Sequence, residues 1–251
     1  MDVAEPGGVT VHVSHTFDLT FKANDILPNA IIFSQDDTFF LVHCHKLIAA
    51  SNNNFGSLIS PEYATVCDDP DLNAIELCLP ESASVLNVLL CAIYGLPCDI
   101  NRPTFQCLLD ALVAMKKYGL TLENYLLPGL PIYNAILNHT PFHPFEVYAI
   151  AAENDLTDLA MVSSSYTLTR SIATISFDLV RKIGSGYLHR LYQLHAFRLE
   201  TLKAMFNVTL WPHALRPYCS PRTRFVTSRA FHLACMQIFY DATPGRSTSQ
   251  A

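Results

Sequence analysis

The stretch from residue 28 to residue 58 constrains the fold of this chain more than any other. Two short apolar runs, Ala30 to Phe33 and Phe39 to Val42, lie on either side of the polar cluster Ser34-Gln35-Asp36-Asp37. Aromatic and β-branched residues favour strands, and Ser, Asp and Gln favour the turn between them. The stretch therefore predicts a β-hairpin.

The spacing of apolar residues changes directly after this hairpin. Leu47, Ile48 and Ala50 cover one side of a helical turn, and Ser51 with the three asparagines after it predicts the end of that helix. A second short helix is expected over Asn54 to Ser60. The stretch is therefore predicted to form strand, turn, strand and two helices in sequence.

A longer pattern extends over these elements, with apolar or small residues four, eight and twelve positions after a histidine. In order and spacing it resembles the opening of a BTB/POZ domain, especially of the fungal, basidiomycete-type family. The residues that carry the resemblance are Phe40, Val42, His43, Leu47, Ser51 and Phe55. The resemblance implies homodimerisation through the first helix and its neighbour, so these six residues are expected to mark a dimer face.

One position of the pattern departs from the family. Cys44 stands where these domains usually have Lys or Arg, and the acidic partner of that residue falls on Asn29, or on Ile31 if the hairpin is two residues shorter. The buried ion pair of many BTB domains is therefore expected to be a neutralised pocket of Asn29 and Cys44. Losing both charges together avoids a lone buried ion, which would cost several kcal/mol.

Three further elements are predicted before residue 120. Ala74 to Leu79 alternates like a strand, and Ser82 and Gly95 are suited to begin and end a helix from Ala83 to Tyr94. A helix from Pro103 to Tyr118 has Pro in its first turn and Gly119 after its end. Sequence similarity around the last two helices extends the resemblance to about residues 29 to 138.

The second half of the chain is predicted to be all helical. A short helix over Ile132 to Leu137 follows a Pro-rich linker, and the break from His139 to Pro144 is the expected domain boundary. Further helices are predicted over Phe145 to Glu153, Leu156 to Thr169, Phe177 to Ile183, Tyr187 to Phe206 and about Ser228 to Tyr240. The predicted organisation is a leader or loose arm over 1–21, a BTB/POZ domain over 22–138, a helical extension over 139–240 and a disordered tail over 241–251. The predicted fold class is α+β.

Composition limits the classes of function. The net charge is -6 with only 15% charged residues, so the broad positive surface of a nucleic-acid-binding protein is not expected. Half of the residues are hydrophobic, yet no uninterrupted apolar run is long enough for a membrane span. A contact with another protein explains this apolar excess. The N-terminus lacks the pattern of a secretory signal, so a cytoplasmic or nuclear location is expected.

Candidate chemistry is sparse in this sequence. His43-Cys44-His45 with Cys67 or Cys78 suggests zinc, and Cys44 with a histidine suggests a nucleophile, but neither has a second paired motif or an oxyanion-hole loop. Gly184-Ser185-Gly186 lies between helices rather than after a strand. Glu153, Asp155 and Asp158 favour a helix N-terminus rather than general acid-base work. No catalytic residue, metal or cofactor is predicted, and the chain is not expected to be an enzyme.

The resemblance therefore implies a homodimerising protein-interaction module. One expected role is that of a substrate adaptor for a cullin-type ubiquitin ligase, and the alternative is a transcriptional or chromatin co-regulator that acts through BTB oligomerisation. The loop with Leu96, Pro97 and Asp99 is the expected partner surface, although it lacks the φ-x-E element of cullin adaptors. The helices from Phe145 to Thr169 would supply the second half of such a contact.

Overall fold

A computed structural model describes residues 12–23, 26–60, 75–98, 102–206 and 220–241. The predicted leader before residue 12 and the predicted tail after residue 241 lie outside the described residues. The described chain is mixed α and β, and it divides into two compact units, of which the first ends at His139 and the second begins at Thr140. No helix in these ranges combines the length and apolar character of a membrane span.

A four-stranded sheet forms one side of the first unit. Its strands are β1 (His12–Val13), β2 (Ala30–Phe33), β3 (Thr38–Val42) and β4 (Ile75–Cys78), in the spatial order β1-β3-β2-β4. β2 and β3 form the predicted antiparallel hairpin, whereas β1 pairs in parallel with β3 and β4 in parallel with β2. β1 lies in the segment predicted to be a leader or loose arm, and it is only two residues long.

The apolar face of this sheet follows the period of two that strands impose on side chains. Ala30 and Ile32 of β2 and Phe40 and Val42 of β3 are buried, while their neighbours along each strand are partly exposed. A one-residue slip of either strand would move its two buried side chains to the opposite face. The pairing of Ala30 with Val42 is thus the register that buries the hydrophobic set.

The two helices after the hairpin differ from each other in backbone conformation. α1 (Cys44–Ala50) ends at Ser51, as the sequence predicts. α2 (Asn54–Ser57) is three residues shorter at its C-terminal end than predicted. Its four residues have φ between 54° and 69°, which makes it a left-handed turn rather than an α-helix. Asn54 and Gly56 are residue types that tolerate this region best, whereas Phe55 and Ser57 are not.

Helices α3 (Ala83–Tyr94) and α4 (Phe105–Lys117) form the centre of the first unit. Eight consecutive residues of α3 are buried, so this helix lies in the core of the unit. α4 begins two residues later than predicted, because Thr104 is its N-cap and accepts a hydrogen bond from the Cys107 amide. Pro103 therefore precedes the helix instead of occupying its first turn.

α3 and α4 end in the same way. After α3, Gly95 has φ 67° and its N–H donates to the carbonyl of Ala92, while the next N–H reaches back to Cys91. After α4, Gly119 has φ 75° and repeats this pair of hydrogen bonds. Both ends have the hydrogen bonds of a Schellman motif, for which a left-handed glycine is preferred. A short 3-10 turn (Leu122–Asn124) and α5 (Pro131–His139) complete the unit.

The second unit contains helices throughout its described residues. α6 (Pro144–Glu153) and α7 (Thr157–Thr167) form a tightly packed pair, each within two residues of its predicted bounds. α8 (Phe177–Phe206) covers both predicted helices, and Gly184, with φ 70° and ψ 164°, interrupts it at the predicted position. α9 (Pro221–Asp241) begins seven residues earlier than predicted, because Pro is favoured at a first turn and the Ser220 hydroxyl caps the Thr223 amide.

The two Schellman glycines differ only in what surrounds them, and this allows a matched test. A Cβ at Gly119 would lie 2.3 Å from Oδ1 of Asn53, whereas a Cβ at Gly95 would meet nothing within 4 Å. Gly95→Ala should cost about 1 kcal/mol of unfolding free energy for the left-handed backbone alone. Gly119→Ala should cost at least about 2 kcal/mol, because it adds the clash. Urea unfolding of both variants measures the difference, and equal costs would contradict this packing.

Candidate functional site

The six pattern residues lie together in the core of the first unit. Five of them are at most 1% exposed, namely Phe40, Val42, His43, Leu47 and Phe55, and Ser51 is half-buried. The expectation that these side chains form a dimer face is therefore wrong for those five, since a buried side chain has no surface to offer a second copy. They connect the sheet to α1, α2 and α4.

The Ser51 hydroxyl joins the end of α1 to the end of α4. Its oxygen accepts the Phe55 amide proton at 2.7 Å, and the hydroxyl donates to the Tyr118 carbonyl at 2.7 Å. The Asn53 side chain accepts from the Gly56 amide and donates to the Lys117 carbonyl. The Phe55 ring stacks on the Tyr118 ring with centroids 4.6 Å apart. We call these contacts of Ser51, Asn53, Phe55 and Tyr118 the Ser51 junction.

A carboxylate that the sequence pattern did not single out supports this junction. Glu81, which follows β4, accepts a hydrogen bond from the Tyr118 hydroxyl and binds Nζ of Lys117 at 2.6 Å. Burial, followed by the neighbouring carboxylate, raises the pKa of Tyr118. The tyrosine therefore stays protonated and keeps donating. No local spacing predicts this contact, because 37 residues separate Glu81 from Tyr118.

His43 lies in a polar network inside an aromatic cluster. Its amide donates to the Tyr94 hydroxyl oxygen at 2.8 Å, and the same hydroxyl lies 2.9 Å from Nδ1. Nε2 is 2.9 Å from the carbonyl oxygen of Ile26. Because a carbonyl can only accept, Nε2 carries the proton and Nδ1 accepts from Tyr94. Both ring nitrogens are thus occupied, which removes His43 from the suggested zinc site in this structure.

Asn29 and Cys44, the expected neutralised pocket, are in direct contact. The Asn29 side-chain oxygen accepts a hydrogen bond from the Cys44 amide at 2.8 Å, at the first residue of α1. The Cys44 side chain is 1% exposed, and its sulfur is not part of a disulfide. A buried thiol of this kind is a packing residue rather than an accessible nucleophile. Ile31, the alternative partner, belongs to β2 and pairs with Leu41.

The remaining sequence-predicted positions do not converge on a reactive site. Leu96 is half-buried and Pro97 is exposed, while Asp99 and Cys67 lie outside the described residues. Asp155 accepts a hydrogen bond from the Tyr187 hydroxyl at 2.6 Å. Across the described ranges, no group of three or more His, Cys, Asp and Glu residues is arranged to hold a metal ion.

The solvent side of α1 and α2 forms a different surface from the one the pattern residues suggested. Ile48 is half-buried, Ala49 is exposed, and Leu58, directly after α2, is 46% exposed. We call these three residues the outer surface of α1 and α2. Ile48 and Ala49 lie between the pattern residues Leu47 and Ser51, whereas Leu58 lies three residues after Phe55, the last of the pattern residues.

Searches of protein families, of characterised proteins and of solved structures find no match to this chain.

The buried histidines make stability depend on pH. Burial lowers the pKa of His43, with smaller contributions from His45 and Lys46, and lowers that of His195, which lies 3.2 Å from the Thr167 hydroxyl. A folded pKa below the unfolded value of about 6.5 means that stability is fully present above that pH and is lost as pH falls below it. Each histidine changes the free energy of unfolding by at most about 1.4 kcal/mol per pH unit.

Denaturant midpoints at pH 7.5 and 5.5 measure this dependence, and the midpoint is expected to be lower at pH 5.5. Carboxylates titrate mostly below this window. His195→Asn should reduce the pH dependence and leave the part due to His43. A midpoint that is unchanged or higher at pH 5.5 would contradict the burial of neutral histidines.

Proposed function

We propose that this chain is a protein-interaction module of the BTB/POZ type, which self-associates through the outer surface of α1 and α2 and recruits a second protein. The observation that carries the proposal is the exposure of Leu58 and Ala49 on the solvent side of these two elements. Exposed apolar residues on a protein that also buries a complete core favour a contact with another chain. The proposal does not include catalysis.

The arrangement of the first unit supports the resemblance on which this proposal rests. A hairpin, two short elements, a further strand and two packed helices follow one another in the order that the pattern residues imply. The spacing of the pattern residues has a structural cause, because these side chains hold the elements of the first unit together. Their burial leaves the residues between them to make the intermolecular contact.

A narrower role as a cullin adaptor has less support. The loop after α3 reads Leu96-Pro97-Cys98-Asp99, which lacks the φ-x-E element of cullin adaptors, and Cys98 is buried. α6 and α7 could supply the helical pair that such adaptors add after the BTB domain. We therefore limit the proposal to self-association and to binding of a protein partner.

Self-association can be tested with two matched leucine variants. Leu58→Glu would place a charge in the proposed contact, and the dissociation constant should rise at least about tenfold, because loss of a hot-spot residue at the centre of a contact costs about 2 kcal/mol or more, and about 1.4 kcal/mol is tenfold. Leu127→Glu is the control, because Leu127 is also exposed, at 53%, but follows the 3-10 turn instead of α2. Light scattering over a dilution series gives the mass.

The wild-type mass should exceed the 28.0 kDa of one chain and fall on dilution. A monomer at every concentration would remove the proposal of self-association. Equal weakening by Leu58→Glu and Leu127→Glu would instead show that the contact lies elsewhere on the first unit.

A further inference from the structure

A cavity opens between α7 and α8 in the second unit, and its floor is on α6. Its volume is about 330 Å3, enough for one large side chain. α7 contributes Ala160, Met161 and Ser164, and α8 contributes Tyr187, Leu191 and Leu194. Residues three and four apart lie on one face of a helix, so each helix presents a continuous wall.

Two exposed apolar side chains flank the cavity, and we call the cavity together with Met161 and Phe197 the groove between α7 and α8. Met161 on the α7 side is 65% exposed, and Phe197, one turn beyond Leu194 on α8, is 67% exposed. Between Tyr187 and Phe197 the groove runs for about 15 Å at the helical rise per residue. A groove that is longer than its cavity fits a chain segment better than a compact small molecule.

The floor of the cavity offers aromatic rings rather than free polar groups. The Tyr148 hydroxyl donates to the Tyr187 carbonyl at 2.9 Å, and the Tyr187 hydroxyl donates to Oδ1 of Asp155 at 2.6 Å. The two rings meet edge to face, with centroids 6.1 Å apart. Because both hydroxyl protons are used within the unit, an apolar guest would leave neither tyrosine unsatisfied.

A single cation marks one end of this groove. The Arg190 guanidinium lies over the Tyr187 ring, 5.1 Å from its centroid, and the residue is exposed. Among the described residues, no carboxylate lies within the 4.0 Å that defines an ion pair with Arg190. The carboxylate of Asp155, which belongs to the hydrogen bonds of the cavity floor, already accepts a hydrogen bond from the Tyr187 hydroxyl. The rim therefore has a positive charge available to an incoming carboxylate.

We infer that the groove between α7 and α8 binds a peptide segment of a partner protein, which inserts one aromatic or long aliphatic side chain into the cavity and places a neighbouring carboxylate against Arg190. The inference rests on the proposed function and deepens it, because it specifies the residue types of the partner segment and the site at which the segment binds. Burial of the inserted side chain between the apolar walls anchors the peptide, and the ion pair with the Arg190 guanidinium fixes the orientation of the peptide in the groove.

Peptide selection followed by measurement of affinity tests this inference. Roughly ten-residue random peptides, long enough to span the groove even when helical, are displayed on phage and selected on the immobilised full chain. Enriched sequences should combine an aromatic or aliphatic residue with a nearby Asp or Glu. Fluorescence anisotropy then gives the dissociation constant of an enriched, labelled peptide.

Three variants of the chain locate the binding site. Arg190→Glu and Thr157→Trp, which fills the cavity from its exposed rim, should each weaken binding at least about tenfold. Arg181→Glu is the matched control and should change binding less than about twofold, because the Arg181 guanidinium stacks on Phe177 in the same way, at 5.2 Å, outside the groove. An enriched peptide whose acid is replaced by the amide should lose affinity for the wild type but not for Arg190→Glu.

Failure to enrich apolar-acidic peptides, or equal effects of Arg190→Glu and Arg181→Glu, would overturn the inference. Peptides that enrich without an acidic residue would also overturn it. Light scattering on the same preparation separates these results from failure of the proposed function. If the chain self-associates but binds no such peptide, only the inference about the groove is overturned, and the proposal of self-association stands.

Discussion

The Tyr118 side chain and backbone bring together three parts of the first unit that are far apart in sequence. Its ring stacks on Phe55, its hydroxyl donates to Glu81, and its carbonyl accepts from Ser51. The left-handed turn from Asn54 to Ser57 costs about 1–2 kcal/mol for each residue other than glycine. Stacking, burial of Phe55 and the hydrogen bonds from Ser51 and Asn53 offset that cost, and the turn persists because these contacts determine it.

This constraint explains why one set of residues can be structural while its neighbours are free for function. The Ser51 junction fixes α1 and α2 against α4 through the buried Phe55 and Tyr118, the half-buried Ser51 and the exposed Asn53. Ile48 and Ala49 precede these residues in sequence, Leu58 follows Phe55, and all three belong to the outer surface of α1 and α2. A rigid pair of short elements with an apolar outer side needs little ordering on association, and that lowers the entropic cost of binding.

Local sequence signals were sufficient for most of the secondary structure. The hairpin, the limits of α3 and the helix break at Gly184 follow from turn residues, a left-handed glycine and apolar spacing, all of which act over a few residues. The left-handed turn of α2 was missed because it depends on Tyr118, more than 60 residues away. The early start of α9 was missed because apolar spacing is weak over its first turns.

The site was less accessible to sequence reasoning than the fold. Spacing identified Phe40, His43 and Phe55 as residues that belong together, but it could not tell a buried set from an exposed one. The partners that decide this, Tyr94 for His43 and Tyr118 for Phe55, are brought in by tertiary contacts. The groove between α7 and α8 has no sequence signal of its own, since it arises from the packing of two ordinary amphipathic helices.

Native-state hydrogen exchange tests most directly whether the Ser51 junction holds the first unit together. The amides of Phe55, which donates to the Ser51 hydroxyl, and of Asn52, which donates to the Gly119 carbonyl, are the reporters. If the junction is part of the cooperative core, these amides should exchange with the same free energy of opening as the α3 amides of Leu89 and Leu90. Rapid exchange at Asn52 and Phe55 while α3 stays protected would contradict the account.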